Sequence, residues 1–169
     1  QRWIARLKLP HAPQQIAFEE YVQAVQEATT RIDRLTAAIQ AAVSTWRWQP
    51  VVAALQAMRG VQLIHAVRIV AELGDLTRFG TPRAMMCFLG LVPTEHSSGS
   101  KRAQGAITKA GNSSARRAMV EAAWAYQHPA RITPIIARRQ GGVPKTVLDI
   151  AWKAQLRLCA RFRKLAIRG

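Results

Sequence analysis

The chain has 169 residues, 49% of them hydrophobic, which suits one domain, or one domain with an appended arm, and supplies enough apolar side chains for a core. No apolar run reaches the roughly eighteen residues of a membrane span and no segment reads as a signal peptide, so a membrane partner is not expected. Lys and Arg number 25 against 9 Asp and Glu, a net charge of +16 that asks for a polyanionic partner.

The first fifty residues read as a helical arm. Pro10 and Pro13 mark its start, and Pro50 follows "STWRWQ" at its end. Phe18, Tyr21, Val25, Ala28, Ile32, Leu35, Ile39 and Ala42 recur at alternating steps of three and four. That heptad stripe under-winds a helix and favours a left-handed coiled coil, within or between chains. One amphipathic helix laid on its own domain is the alternative.

Residues 51–169 form the main domain. "VVAALQAMRGVQLIHAVRIVAELG", residues 51–74, reads as two short helices joined by a tight turn at Arg59, Gly60 and Val61. This spacing resembles a helix-hairpin-helix, in which turn amides and the next helix N-terminus hold a DNA phosphate. Gln62 stands where a second glycine is usual, and plain helix packing is the other reading. Gly74 caps that pair, and Thr81-Pro82 opens a further helix. Gly90, Pro93, Gly99, Gly105 and Gly111 then punctuate a loop in which "RAQGAIT" allows a short hairpin. A helix starts at Asn112 or Ser113 with a capping side chain in place. "QHPARITP" and "RRQGGVP" are breaks. The last helix runs from about Pro144 to Ile167, with Leu148, Ala151, Leu158, Cys159, Phe162 and Leu165 as its apolar face. The fold class is all-α.

Charge is distributed unevenly. Residues 1–50 carry six cations and four anions, whereas residues 96–169 carry fifteen cations against Glu121 and Asp149, a balance of +13. Neutralising phosphates releases counterions, so nucleic acid is the expected polyanion. On the last helix Lys153, Arg157, Arg161, Lys164 and Arg168 form one stripe, read as phosphate-facing. Cys87 and Cys159 lack C-x-x-C spacing and read as reduced core thiols. His11, His65, His96 and His128 make no metal-ligand pattern, and the scattered acids give no two-metal pair.

Hydroxyl chemistry in a cationic setting remains. "GLVPTEHSSGSKRAQGAITKAGN", residues 90–112, gathers Ser97 and Ser98 with His96, Lys101, Arg102 and Lys109 around a single carboxylate. A serine becomes a nucleophile when something accepts its proton or stabilises its alkoxide, and cations also hold charge on a phosphoryl group in flight. A plain polar loop is the bland alternative.

Five ordered pieces decide between them: "RGVQLIHAVRIVAELGD", "F…R…FLGLVP", "HSSGSKR", G-x-I-T-K-x-G-N and RR-x-M-V-E-A-A. Together, from about Met58 to Trp124 and weakly into the last helix, they closely resemble the C-terminal transposase domain of the insertion-sequence one-ten (one-ten/one-sixteen/nine-oh-two) family. The resemblance implies a DNA recombinase that moves an insertion sequence under the guidance of a bridge RNA. It implies a split active site: an N-terminal RuvC-like domain bringing four acidic residues and magnesium, a coiled-coil linker that assembles oligomers, and a C-terminal domain bringing a serine that joins covalently to DNA. On this view the chain, which opens at Gln1, is a fragment without its acidic domain, needs no cofactor of its own and is inactive alone. A cytoplasmic, nucleoid-associated bacterial protein is implied. The family's recurring serine directly precedes glycine, which places the role on Ser98, with Ser97 as the second candidate. Lys101 and Arg102 match the basic residues that follow. Thr108, Lys109, Gly111 and Asn112 match the T-K-x-G-N element, and Arg116 and Arg117 its R-R pair; all are assigned to phosphate holding. The rivals are a non-catalytic helical nucleic-acid-binding module and a basic amphipathic protein at membranes.

Overall fold

A computed structural model of the chain describes residues 3–99, 101 and 103–167. Helix occupies 67% of it, with one small two-stranded sheet, so the all-α class holds. The chain divides into two compact units after Ser44, six residues before the boundary suggested by Pro50.

The first unit is a short 3-10 turn, Ile4–Arg6, followed by helix α1, Ala12–Ser44. Pro13 lies inside the first turn of α1, where its missing N–H has no helical partner to lose. Tyr21, Val25, Ile32 and Leu35 of the heptad stripe are all exposed, between 49% and 76%. A 33-residue helix with an open apolar seam is not explained by its own burial.

The second unit runs through α2 (Gln49–Gln56), α3 (Leu63–Leu73), α4 (Pro82–Phe88), strands β1 (Pro93–Glu95) and β2 (Gln104–Ile107), α5 (Ser113–Ala123), α6 (Pro134–Gln140) and α7 (Lys145–Ile167). Local chemistry sets most of the boundaries. Gly74 takes φ +64° at the end of α3, and the Thr81 hydroxyl accepts from Ala84 N–H at 3.2 Å at the start of α4. Asn112 Oδ1 accepts from Ala115 N–H at 2.8 Å to open α5. Helix α6 was not expected between its two breaks; Pro134 in its first turn and the Thr133 hydroxyl, accepting from Ile136 N–H at 3.3 Å, start it.

The core lies where α3 packs on α5. Ile69, Leu73, Leu89, Ala115 and Ala118 are buried there, with Leu55, Leu76, Phe79, Met85, Leu91 and Met119 against them. Leu89 is fully buried, and truncating such a side chain costs about 2–5 kcal/mol. It sits at the C-terminal end of α4, so the same packing that builds the core fixes the take-off of the β1–β2 hairpin.

Helix α7 packs on the turn at Trp124–Gln127. It buries Ala151, Gln155 and Cys159; the polar Gln155 belongs to this face because its amide donates to the Arg131 carbonyl at 2.8 Å. Phe162 and Leu165 were expected on the same buried face and are instead 39% and 53% exposed, since the helix's last two turns run beyond the elements that cover it. Of the two cysteines expected in the core, one is there. Cys159 is buried, its thiol donating to the His128 carbonyl at 3.2 Å, whereas Cys87 is exposed.

Candidate functional site

The serine stretch is an antiparallel hairpin. Pro93 pairs with Ile107 and Glu95 with Gln104, with a register slip between them. Its base is tied to the core by crossing backbones: Thr108 N–H donates to the Val92 carbonyl at 2.9 Å, Lys109 N–H to Gly90 at 3.1 Å and Asn112 N–H to Phe88 at 3.3 Å. Two glycines permit the crossing. A Cβ on Gly111 would lie 2.1 Å from the Phe88 carbonyl oxygen, and one on Gly90 would lie 2.0 Å from that of Ala110. The sequence pieces G-L-V-P and T-K-x-G-N are therefore two halves of one close contact.

At the tip, Ser98 and Lys101 exchange both backbone hydrogen bonds, each 3.1 Å. Such a reciprocal pair sets side chains on one face with Cα atoms roughly 5.5 Å apart, so the Lys101 ammonium shares a face with the Ser98 hydroxyl. Gly99 follows Ser98 at φ +56°, the left-handed conformation that a two-residue hairpin link demands. Ser97 and Ser98 are both exposed, but differently held. The Ser97 hydroxyl donates to Glu95 Oε1 at 2.9 Å and accepts from Ala103 N–H at 3.3 Å. Among the described residues, nothing hydrogen-bonds the Ser98 hydroxyl. Arg102 lies outside the described residues, as does Arg168.

The other expected phosphate-holding residues fall into three sets. Asn112, Gly111 and Arg116 are occupied within the fold. The Asn112 amide donates to Glu72 Oε2 of α3 at 2.7 Å, and Arg116 Nη1 donates to the Leu89 carbonyl at 2.9 Å, satisfying the end of α4. Thr108, Lys109 and Arg117 are exposed; Lys109 holds φ +56°, and Arg117 Nε donates to Glu121 Oε1 at 2.7 Å. Lys153, Arg157, Arg161 and Lys164 are exposed along the side of α7 away from its buried face. Sequence reasoning gave no role to Glu72, Glu95 or Glu121, although Glu72 holds the Asn112 cap, Glu95 holds Ser97 in the hairpin and Glu121 pairs with Arg117 on α5.

The α2–α3 turn has the backbone of a helical hairpin and faces inward. A Cβ on Gly60 would lie 2.1 Å from the Ala122 carbonyl oxygen, and Arg59 and Val61 are buried. Arg59 Nη1 donates to the Pro129 carbonyl at 2.7 Å, Arg139 Nη1 to Val61 at 2.6 Å and Gln140 Nε2 to Ala57 at 3.1 Å. Gly60 thus serves close packing on α5, which agrees with the plain helix-packing reading.

Among the described residues no group of three or more His, Cys, Asp and Glu could hold a metal ion. None of the described helices is long and apolar enough to cross a membrane.

Residues 52–135, which span α2 to the start of α6 and include the whole hairpin, match the model of the transposase IS116/IS110/IS902 family. The chain is 44% identical over 168 residues to y4qE of Sinorhizobium fredii, which carries a transposase name; the match covers 99% of this chain and 40% of that protein. It is 37% identical over 69 residues to the transposase for insertion sequence element IS1111A of Coxiella burnetii, covering 41% of this chain and 19% of that one. It is 26% identical over 169 residues to the transposase for insertion sequence element IS1533 of Leptospira borgpetersenii, covering 97% and 48%. The chain spans less than half the length of each of these relatives. It belongs to the IS116/IS110/IS902 transposase family.

Proposed function

We propose that this chain supplies the serine nucleophile and part of the DNA-binding surface of an insertion-sequence transposase. The single observation that carries the assignment to Ser98 is its place at the hairpin tip: exposed, directly before Gly99 and paired across the hairpin with Lys101. The Ser97 hydroxyl, the alternative, is held within the hairpin, donating to Glu95 Oε1 and accepting from Ala103 N–H.

In the proposed step Ser98 Oγ attacks a phosphodiester phosphorus. The Oγ–P bond forms, a P–O bond to the sugar breaks, the serine proton leaves with a base, and the departing sugar oxygen takes up a proton. Lys101 lies on the side from which the phosphate approaches and offsets charge that grows on its oxygens. The exposed cations Lys109, Arg117, Lys153, Arg157, Arg161 and Lys164 bind flanking phosphates of DNA, and of a bridge RNA in the assembled recombinase. Any magnesium used by that assembly would be held by carboxylates outside the described residues, and no step here runs through it. The open heptad seam of α1 pairs with a second copy.

The test is Ser98→Ala in the full recombinase. Covalent protein–DNA adducts should disappear while DNA affinity is kept. Adducts formed at the wild-type rate would remove Ser98 from the chemistry.

A further inference from the structure

The hairpin that carries Ser98 is short, exposed on both strands, and close to the limit of what two strands hold by themselves. Few bonds define its tip, and one of them is unusual. The Ser98–Lys101 pair exchanges two backbone bonds, so an antiparallel ladder calls for the next reciprocal pair between His96 and Ala103. Half of that pair is present: His96 N–H donates to the Ala103 carbonyl at 2.9 Å. The Ala103 N–H turns instead to the Ser97 hydroxyl, at 3.3 Å, and that hydroxyl donates onward to Glu95 Oε1 at 2.9 Å. Glu95 is itself fixed by its pairing with Gln104, just past the register slip.

We propose that Ser97 and Glu95 are positioning residues for Ser98: carboxylate, hydroxyl and the Ala103 amide form a staple across the hairpin that sets the rotation of its tip. This rests on the reading of Ser98 as nucleophile. The Ser97 side chain stands in for a backbone acceptor, so the strand can carry the slip below Glu95 without losing its closure above it. Without the staple the tip keeps only the outermost pair and one bond beneath it, and the Ser98–Lys101 pair turns as a unit relative to the strands below it. A bound phosphodiester reacts from a narrow range of approach, and a displacement of about 1 Å lowers a rate on the order of a hundredfold. The exposed staple has little bearing on the stability of the unit, whose core lies between α3 and α5.

The experiment measures adduct formation under single-turnover conditions with the full recombinase and its DNA substrate. Ser97→Ala should slow adduct formation about ten- to a hundredfold, with DNA affinity and melting temperature unchanged, and Ser97→Thr should restore most of the rate because it keeps the hydroxyl. Glu95→Ala should act in the same direction, and Glu95→Gln, which keeps an acceptor, should fall between. If Ser97→Ala does not fold, the two Glu95 variants carry the same comparison. A wild-type rate for Ser97→Ala, or a loss that threonine does not rescue, overturns the staple; with adducts still absent from Ser98→Ala, the nucleophile assignment survives that failure. Adducts lost in Ser97→Ala and kept in Ser98→Ala would exchange the two roles and overturn both readings.

Discussion

Asn112 joins Glu72 across forty residues of sequence: its amide donates to Glu72 Oε2 at 2.7 Å while its own oxygen caps α5. One side chain thereby starts a helix and fastens it to α3, directly below the hairpin. Replacing it with alanine removes the cap and should cost about 1 kcal/mol, or roughly 2–4 °C in melting temperature.

The same contact gives a pH signature. The Glu72 carboxyl is held below the ordinary glutamate range, chiefly by the Asn112 amide and then by the Ser114 hydroxyl. Glu121, through Arg117, and Asp75, through the Thr77 hydroxyl and amide, are lowered likewise. A lowered carboxylate contributes stability that is fully present above its unfolded pKa and is lost as pH falls through the folded one. Melting temperature should therefore hold at neutral pH and decline on acidification below the ordinary carboxylate range. The decline should be shallower in Asn112→Ala, where Glu72 returns toward its ordinary value. An identical acid limb in both proteins would contradict the assignment.

Two glycines with positive φ separate conformational strain from collision. At Gly74, φ +64°, a Cβ meets nothing within 4 Å; at Gly111, φ +103°, it meets the Phe88 carbonyl oxygen at 2.1 Å. Gly74→Ala should cost about 1 kcal/mol from backbone strain alone. Gly111→Ala should cost upwards of about 2 kcal/mol, because two backbones must part. Urea unfolding of both variants makes the comparison, and equal losses would mean that the crossing is looser than described.

The α7 stripe makes a claim about salt. Changing Lys153, Arg157, Arg161 and Lys164 together to glutamine should lower the slope of log affinity against log salt by about 3 to 4 if each cation neutralises one DNA phosphate. These side chains are exposed, so melting temperature should barely move. An unchanged slope would make the stripe ordinary solvated surface.

The arm makes a claim about mass. Val25→Lys with Ile32→Lys sets charges into the exposed heptad seam. Sedimentation should report a lighter particle than wild type, with helix content kept. The same mass in both would refute pairing through this seam.

Much of this molecule was legible in residue order. The 3-4 spacing announced the long helix α1, and Thr81-Pro82 and Asn112 announced helix starts. Each is a local signal: a cap or a period acts over a few residues and needs no distant partner. The short α6 was missed because about two turns started by Thr133 and Pro134, between two Gly- and Pro-containing breaks, look like the interior of a loop.

What only the tertiary structure decided are contacts between residues far apart in the chain. The T-K-x-G-N and R-R residues look alike as phosphate holders, yet Asn112 closes on Glu72, Gly111 on Phe88 and Arg116 on Leu89, while Lys109 and Arg117 stay exposed. Burial of Arg59 and Gln155 follows from carbonyls of Pro129 and Arg131 that become acceptors only after the chain folds back. Adjacent serines are equivalent in sequence. The hairpin separates them, because Ser97 falls where the opposing Ala103 amide needs an acceptor and Ser98 falls at the turn, exposed and with its backbone paired to Lys101.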